Sequence, residues 1–200
     1  HGGSGISHGV IEALRAERPE ERFLELVHRL DRDTSGCLLL AKKRTVLLAL
    51  QQSLIRNRID KTYHALVAHS WPRGKQTVNA PLLKNQLSSG ERIVRVDVRG
   101  KPSVTHFEVA QRFKDSTLLK IKLETGRTHQ IRVHCQFAGN PVAGDVKYGD
   151  QGYNQELQSR GLRRLFLHAS QLRFEHPLSG DWVDVEAPLP AALERVLKAL

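Results

Sequence analysis

The sequence predicts an α+β domain, a largely antiparallel mixed β-sheet with flanking helices, and three observations carry that expectation. The chain has 200 residues, 40% of them hydrophobic and 26% charged, the size and balance of one ordinary globular domain able to bury a core. Segments of strand character recur along it, while segments with helical spacing are intermittent. The two do not alternate in the strict rhythm that a parallel βαβ sheet requires.

Taken in order, residues 9–17 place Val, Ile and Leu at helical spacing. The turn signal Thr34-Ser35-Gly36 is followed by the apolar run Cys37-Leu38-Leu39-Leu40-Ala41, which predicts a buried strand over residues 37–42. Helical spacing returns over residues 45–57. Strands are expected near residues 62–69, 93–98, 104–110 and 117–123. In residues 93–98 the side chains of Ile93, Arg95 and Asp97 alternate with those of Val94, Val96 and Val98. Thr128 is a candidate N-cap and Gly139 a candidate C′ residue, so a helix of about ten residues fits between them. It would put Ile131, Cys135 and Ala138 on one face. Strands near 165–174 and 182–186 follow, and Pro188 and Pro190 precede a short terminal helix. No repeat or long linker divides the chain, so residues 1–200 read as one domain.

Charge narrows the partner. The formal net charge is +10, spread over Lys42-Lys43-Arg44, Arg56/Arg58/Lys61, Arg92/Arg95/Arg99/Lys101 and Arg160/Arg163/Arg164. A folded domain this basic faces a polyanion more often than a membrane, which favours a nucleic acid, though a generally basic soluble protein is the plainer alternative. No apolar run has the length of a membrane span. The two cysteines, Cys37 and Cys135, read as small buried hydrophobes in a reducing compartment, so a cytoplasmic location is expected. The chain contains no methionine and opens on His1-Gly2-Gly3-Ser4-Gly5, a flexible glycine-rich stretch. It is therefore expected to be a piece of a longer protein.

Three segments carry chemistry. In His28-Arg29-Leu30-Asp31-Arg32-Asp33-Thr34-Ser35-Gly36, two carboxylates and two guanidiniums stand at the mouth of an apolar run, an arrangement suited to holding an ionised carboxylate ready for reaction. The alternative is a solvated loop whose ion pairs contribute little. In Lys61-Thr62-Tyr63-His64-Ala65-Leu66-Val67, Tyr63 shares a strand face with Ala65 and Val67. It is placed either to stack on a flat base or to serve as an ordinary core-edge tyrosine. In Thr125–Gly139, Arg132 falls in the first turns of the expected helix, where the helix dipole disfavours a cation. Its natural partner is a carboxylate, and a bidentate Arg–Asp pair would keep that carboxylate ionised; a solvent-facing arginine is the alternative. Metal binding is not expected. His129 and His134 are poorly spaced for one helix face, Cys135 has no ligand-type neighbours, and Arg29 and Arg32 would repel a divalent ion from Asp31 and Asp33. No phosphate-cradling glycine loop or dinucleotide fingerprint is present.

Together these segments resemble the RluA-type pseudouridine synthases, which isomerise uridine in RNA. The resemblance rests on His28–Gly36, Lys61-Thr62-Tyr63, Gly126-Arg127-Thr128-His129-Gln130-Ile131-Arg132-Val133-His134 and Leu165-Phe166-Leu167-His168-Ala169, in order along the chain. Val10–Ala16, Ala80–Asn85 and Gly90–Val96 are similar to the synthase C branch, which acts on large-subunit ribosomal RNA. The resemblance implies the synthase catalytic fold. It makes Asp31 the catalytic carboxylate, Arg132 its salt-bridge partner and Tyr63 the residue stacking on the target uracil. Arg29 would fill the space left by the flipped nucleotide, Arg127 and His129 would contact RNA, and Leu167 would wall the pocket. The reaction breaks the C1′–N1 bond, turns the base and joins C1′ to C5. Nothing is added or removed, so no cofactor or metal is implied, and a monomer is the default state.

Members of the family carry an earlier Lys-Pro strand, and the synthase C branch an S4-like RNA-binding domain before it. Neither is among these 200 residues. The chain is thus expected to be the catalytic domain alone, with weaker RNA affinity than the intact protein. Three other readings stand beside this one: the same family acting on tRNA or another RNA, a glycosylase using Asp31 to release free uracil, and a non-catalytic RNA-binding module.

Overall fold

A computed structural model describes residues 9–74, 76–86 and 92–200. The glycine-rich opening at 1–5 and the Gly90-Glu91 part of the finer resemblance lie outside the described residues. Five helices occur among them, α1 (Val10–Glu17), α2 (Arg44–Ile55), α3 (Gln130–Phe137), α4 (Gln151–Ser159) and α5 (Ala191–Lys198). The strands are β1 (Glu25–Leu26), β2 (Ser35–Gly36), β3 (Leu40–Ala41), β4 (Ile59–Ala68), β5 (Thr77–Asn79), β6 (Leu82–Gln86), β7 (Arg92–Val96), β8 (Val104–Arg112), β9 (Ser116–Leu123), β10 (Leu167–Glu175) and β11 (Trp182–Glu186).

The expected fold class is the observed one. The central sheet runs β11-β10-β4-β9-β8-β5, each neighbouring pair antiparallel, and β2 adds the only parallel contact among the described residues by pairing with β10. Two short antiparallel pairs, β1 with β3 and β6 with β7, stand outside it. β4 is central and its burial explains its composition: Ala65, Leu66, Val67 and Ala68 are all 0% exposed, so apolar residues serve both faces. Tyr63, Ala65, Val67, Leu119 and Ile121 meet Ile131 and Cys135 of α3 in one cluster. Leu66 and Ala68 meet Leu157 of α4 and Leu193 and Val196 of α5 on the opposite face.

One row of paired residues positions the site. Gly36 of β2 lies opposite Ala169 of β10, Ala169 opposite Tyr63 of β4, Tyr63 opposite Ile121 of β9, and Ile121 opposite Phe107 of β8. A glycine is required at 36. Its φ is +110°, and a Cβ there would stand 2.0 Å from the Ala169 carbonyl oxygen.

Several local expectations need correction. The apolar run 37–41 is not one strand. Residues 35–36 pair with β10 and residues 40–41 with β1, and Cys37 donates its amide to Ala169 O at 2.8 Å. The run crosses between two partners, so neither ladder extends along it. Cys37 is correspondingly half-buried, whereas Cys135 is 0% exposed. Tyr63 lies midway along the ten residues of β4 rather than at its start. Residues 97 and 98 fall outside β7: Asp97 accepts from the Arg99 backbone amide at 3.0 Å, and Val98 is 91% exposed.

The N-cap of α3 is His129, at φ 55° and ψ 17°, not Thr128. Its first turn is secured instead by Gln130, whose Oε1 accepts from Thr125 Oγ1 (2.8 Å) and Arg127 N (3.0 Å). Gly139 does terminate the helix in the left-handed region at φ 82°. Gly139 N bonds to Gln136 O and Asn140 N to Cys135 O, the pattern that closes a Schellman end.

Candidate active site

α3 lies across the row just described, with its apolar face on Tyr63 and its first turn over the chain entering β2. Arg132 is the third residue of this helix and only 9% exposed. Its guanidinium is divided between two carboxylates. Nη1 donates to Asp31 Oδ2 at 3.1 Å across 101 residues of chain. Nε and Nη2 donate to Asp145 Oδ2 and Oδ1 at 2.7 and 2.9 Å. The pairing of Arg132 with Asp31 is thus present, but the two-pronged grip belongs to Asp145. Exposure follows the same division, with side chains 25% exposed for Asp31, 11% for Arg132 and 0% for Asp145.

Asp145 was not foreseen from the sequence. It occupies the loop between α3 and α4, where its Oδ1 also accepts the amides of Lys147 (2.9 Å) and Tyr148 (3.0 Å). Burial pushes its pKa up, but the Arg132 bonds and charge and those two amides outweigh it and hold the carboxyl below its ordinary value. The preceding Gly144 has φ +71°, and a Cβ there would stand 2.1 Å from Arg164 O. Close packing against residue 164 therefore sets where Asp145 points. The signal available in the sequence was faint, since an aspartate after a glycine reads as a turn.

Tyr148, also unforeseen, braces the arrangement. The Arg132 guanidinium lies 5.0 Å from the centre of its ring, within cation–π range. Its hydroxyl accepts the Val94 amide at 3.0 Å and lies 2.8 Å from His129 Nδ1. The hydroxyl proton is then best donated to Nδ1, which assigns the neutral His129 proton to Nε2. Burial pulls the His129 pKa down, opposed by the Asp31 charge and reinforced by that of Arg132. A left-handed backbone at a residue with a side chain is locally strained, and here that strain stands beside the Asp31–Arg132 pair.

The other expected site residues are distributed as follows. Tyr63 is 8% exposed; burial, then the charge of Asp31, push its phenol up to about 12, so it is protonated at neutral pH. Leu167, the first residue of β10, is 3% exposed and packs in the same cluster as Tyr63, Ala65 and Ala169. Arg29 is exposed, and its guanidinium makes no hydrogen bond or ion pair among the described residues. Arg127 is exposed and donates from Nε to Pro102 O at 3.2 Å. Neither contacts the Asp31 carboxylate. Among the described residues no group of three or more His, Cys, Asp or Glu side chains converges as a metal site, and no helix is long and apolar enough to cross a membrane.

Chemically, Asp31 offers one oxygen tied to a buried arginine and a second, Oδ1, with no hydrogen-bond partner among the described residues. A half-exposed carboxylate in that state can attack an electrophilic carbon or accept a proton. Beside it stand a protonated tyrosine and a wall of aliphatic side chains.

Residues 6–137 match the sequence profile of the RNA pseudouridylate synthase family. The chain is 56% identical over 200 residues to the ribosomal large subunit pseudouridine synthase C of Pasteurella multocida and 57% identical over 202 residues to that of Salmonella typhi. All of this chain is covered in both comparisons, but it spans only 61% and 63% of those relatives. Among solved structures, human RNA Pseudouridylate Synthase Domain Containing 1 superposes with a TM-score of 0.75 at 27% identity, covering 92% of this chain and 76% of the human one.

Proposed function

The chain belongs to the RNA pseudouridylate synthase family, and from that premise we propose that it isomerises uridines of large-subunit ribosomal RNA to pseudouridine with Asp31 as the essential carboxylate. The observation that carries this reading is the chain Asp31–Arg132–Asp145. It leaves a half-exposed carboxylate pinned at one oxygen and open at the other. Large-subunit RNA as substrate is supported by the names of the relatives at 56% and 57% identity.

The uridine enters flipped from its stack, at a cost of a few kcal/mol. Arg29, exposed and unpaired, replaces it in the RNA and offsets part of that cost. Tyr63 and Leu167 form the apolar floor on which the uracil lies, and Arg127 and His129 hold the surrounding strand. Asp31 then acts at the ribose, either attacking C1′ as N1 departs or removing a neighbouring proton. The freed uracil stays in the pocket, turns, and joins C1′ through C5. On the first route this displaces the Asp31 carboxylate from C1′; on the second, the proton taken by Asp31 returns to the ribose. In both, the C5 proton is lost to solvent as aromaticity returns while N1 takes one up. Arg132 holds the Asp31 carboxylate in place through Oδ2. Because Asp145 neutralises the rest of the guanidinium, the bond to Asp31 does not have to carry the whole buried charge. Residues 1–200 act as one catalytic domain in this scheme, working in the cytoplasm as a monomer.

The test is tritium release from a large-subunit ribosomal RNA transcript carrying C5-tritiated uridine. The native chain should release tritium without free uracil, and Asp31→Asn should fall to background while still binding the RNA. Free uracil would replace this reading with a glycosylase. RNA binding with no release in either protein would leave a binding module.

A further inference from the structure

Lys61 is used by nothing in the mechanism above. It lies on β4 two residues before Tyr63, on the same face of the strand. The side chain is only partly exposed, and burial lowers its pKa, opposed by the neighbouring Asp60. Asp60 is exposed and alternates to the other face of β4. Among the described residues the ammonium has neither a hydrogen bond nor a carboxylate within ion-pair distance. A cation that burial partly desolvates and no counter-ion compensates carries a cost that an anion would relieve.

What surrounds it comes from two other segments of the site. One is His28, on which the Lys61 charge acts. His28 Nε2 accepts the Leu39 amide at 3.2 Å, and burial, with help from Lys61, lowers the pKa of the ring. It is a neutral neighbour that adds no counter-charge. The other is the loop leading into α3. The Lys61 Nζ lies 3.8 Å from the position a Cβ would take on Gly126, and that Cβ would meet nothing else within 4 Å. The space between Gly126 and the ammonium is therefore uncrowded. The residues next along the chain, Arg29 after His28 and Arg127 after Gly126, are both exposed cations.

We propose that Lys61 is a phosphate ligand: a phosphodiester of the bound RNA strand, close to the target uridine, docks over Gly126 against the Lys61 ammonium. The proposal rests on RNA being the substrate, as argued above, and adds the point at which its backbone is gripped. An anion is the one kind of ligand that relieves the desolvated charge. An RNA strand running past Tyr63 brings phosphates at regular spacing, and the missing side chain at 126 admits the bulk of one. Lysine suits this task as a single point charge at the end of a flexible stem.

The experiment is a salt titration of RNA affinity in the Asp31→Asn chain, so that the RNA stays unconverted, comparing Lys61 with Lys61→Met and Lys61→Arg. Each phosphate neutralised contributes about 0.7 to 1 to the slope of log Kd against log salt. Lys61→Met should flatten the slope by about that amount, so its deficit in affinity shrinks about five- to tenfold when salt rises tenfold. Lys61→Arg should keep the parental slope. Gly126→Glu is the second route, since it leaves Lys61 in place and offers its ammonium a carboxylate; it should flatten the slope as Lys61→Met does. Unchanged slopes in both Lys61→Met and Gly126→Glu overturn the phosphate site, whatever happens to overall affinity. If the Asp31→Asn parent binds no RNA, the functional reading fails and this site fails with it.

Discussion

At the scale of single residues, the molecule's most consequential choice is how Arg132 spends its five donors. A guanidinium offered to Asp31 alone would leave the Nε and Nη2 donors that now bond Asp145 without those acceptors. Asp145 takes the Nε and Nη2 edge and fixes the plane of the group, so that Nη1 can only point at Asp31. Removing one member of a buried pair costs about 3–5 kcal/mol. Asp145→Ala should therefore lower unfolding free energy by that order and reduce the rate of isomerisation at saturating RNA more than it weakens RNA binding. A variant that lost stability but kept its single-turnover rate would show that Asp145 acts on the fold alone. The pH dependence has a definite sign. Since the folded-state pKa of Asp145 is depressed, its contribution is fully present above the unfolded value near 3.8 and is lost as pH falls below it. The stability gap between the native chain and Asp145→Ala should thus narrow under acid. In the sequence, the cationic misfit of Arg132 near a helix N-terminus was enough to call for a carboxylate. Which carboxylate takes the paired bonds was not legible, because two residues on separate loops compete and only the fold ranks them.

Secondary-structure elements deliver these residues through two unusual joints. The first is the turn before α3, where Gln130 is 2% exposed and fully employed. Beyond the two bonds it accepts, its Nε2 donates to Val104 O at 3.0 Å and Thr105 Oγ1 at 2.9 Å on β8. One amide thereby caps the helix and bolts it to the sheet. The second joint is the parallel contact of β2 with β10, only two residue pairs long, which holds the Asp31 turn against the Tyr63 row. Gly36→Ala would force a Cβ into the Ala169 carbonyl at a backbone conformation side chains avoid. It should cost at least about 2 kcal/mol, and activity should fall with it, since β2 must separate from β10. Urea unfolding together with tritium release checks this; a stable and active Gly36→Ala would mean that the site does not depend on the joint. The long strands β8 and β9 were readable from alternation because one face packs on the core and imposes a period of two, and β4 from an apolar run buried on both faces. The run 37–41 misled because hydrophobicity reports burial, and this segment is partly buried as a bridge between two ladders. The polar helix α4 offered too little periodicity to be seen, being held by capping: Asp150 accepts the Tyr153 amide at 2.7 Å.

At the scale of the whole molecule, the buried histidines set the response to acid. His28, His64, His129 and His134 all have pKa values lowered chiefly by burial; His134 is 0% exposed, between Thr105 Oγ1 at 2.8 Å and Ala80 O at 2.9 Å. For such groups the unfolded chain binds more protons than the folded one once pH drops below the unfolded value of 6.5. Folding free energy is therefore lost from there downwards. The thermal midpoint should fall between pH 7 and pH 5, and His134→Gln, which removes one of these buried rings, should make the decline shallower. RNA, attracted by the net charge of +10 counted with histidines neutral, offsets part of this loss by mass action where it binds the folded state, so the midpoint at each pH should be higher in its presence. A midpoint flat from pH 7 to 5 without RNA would contradict the buried neutral histidines. A midpoint that RNA leaves unchanged at both pH values would show that RNA does not favour the folded state.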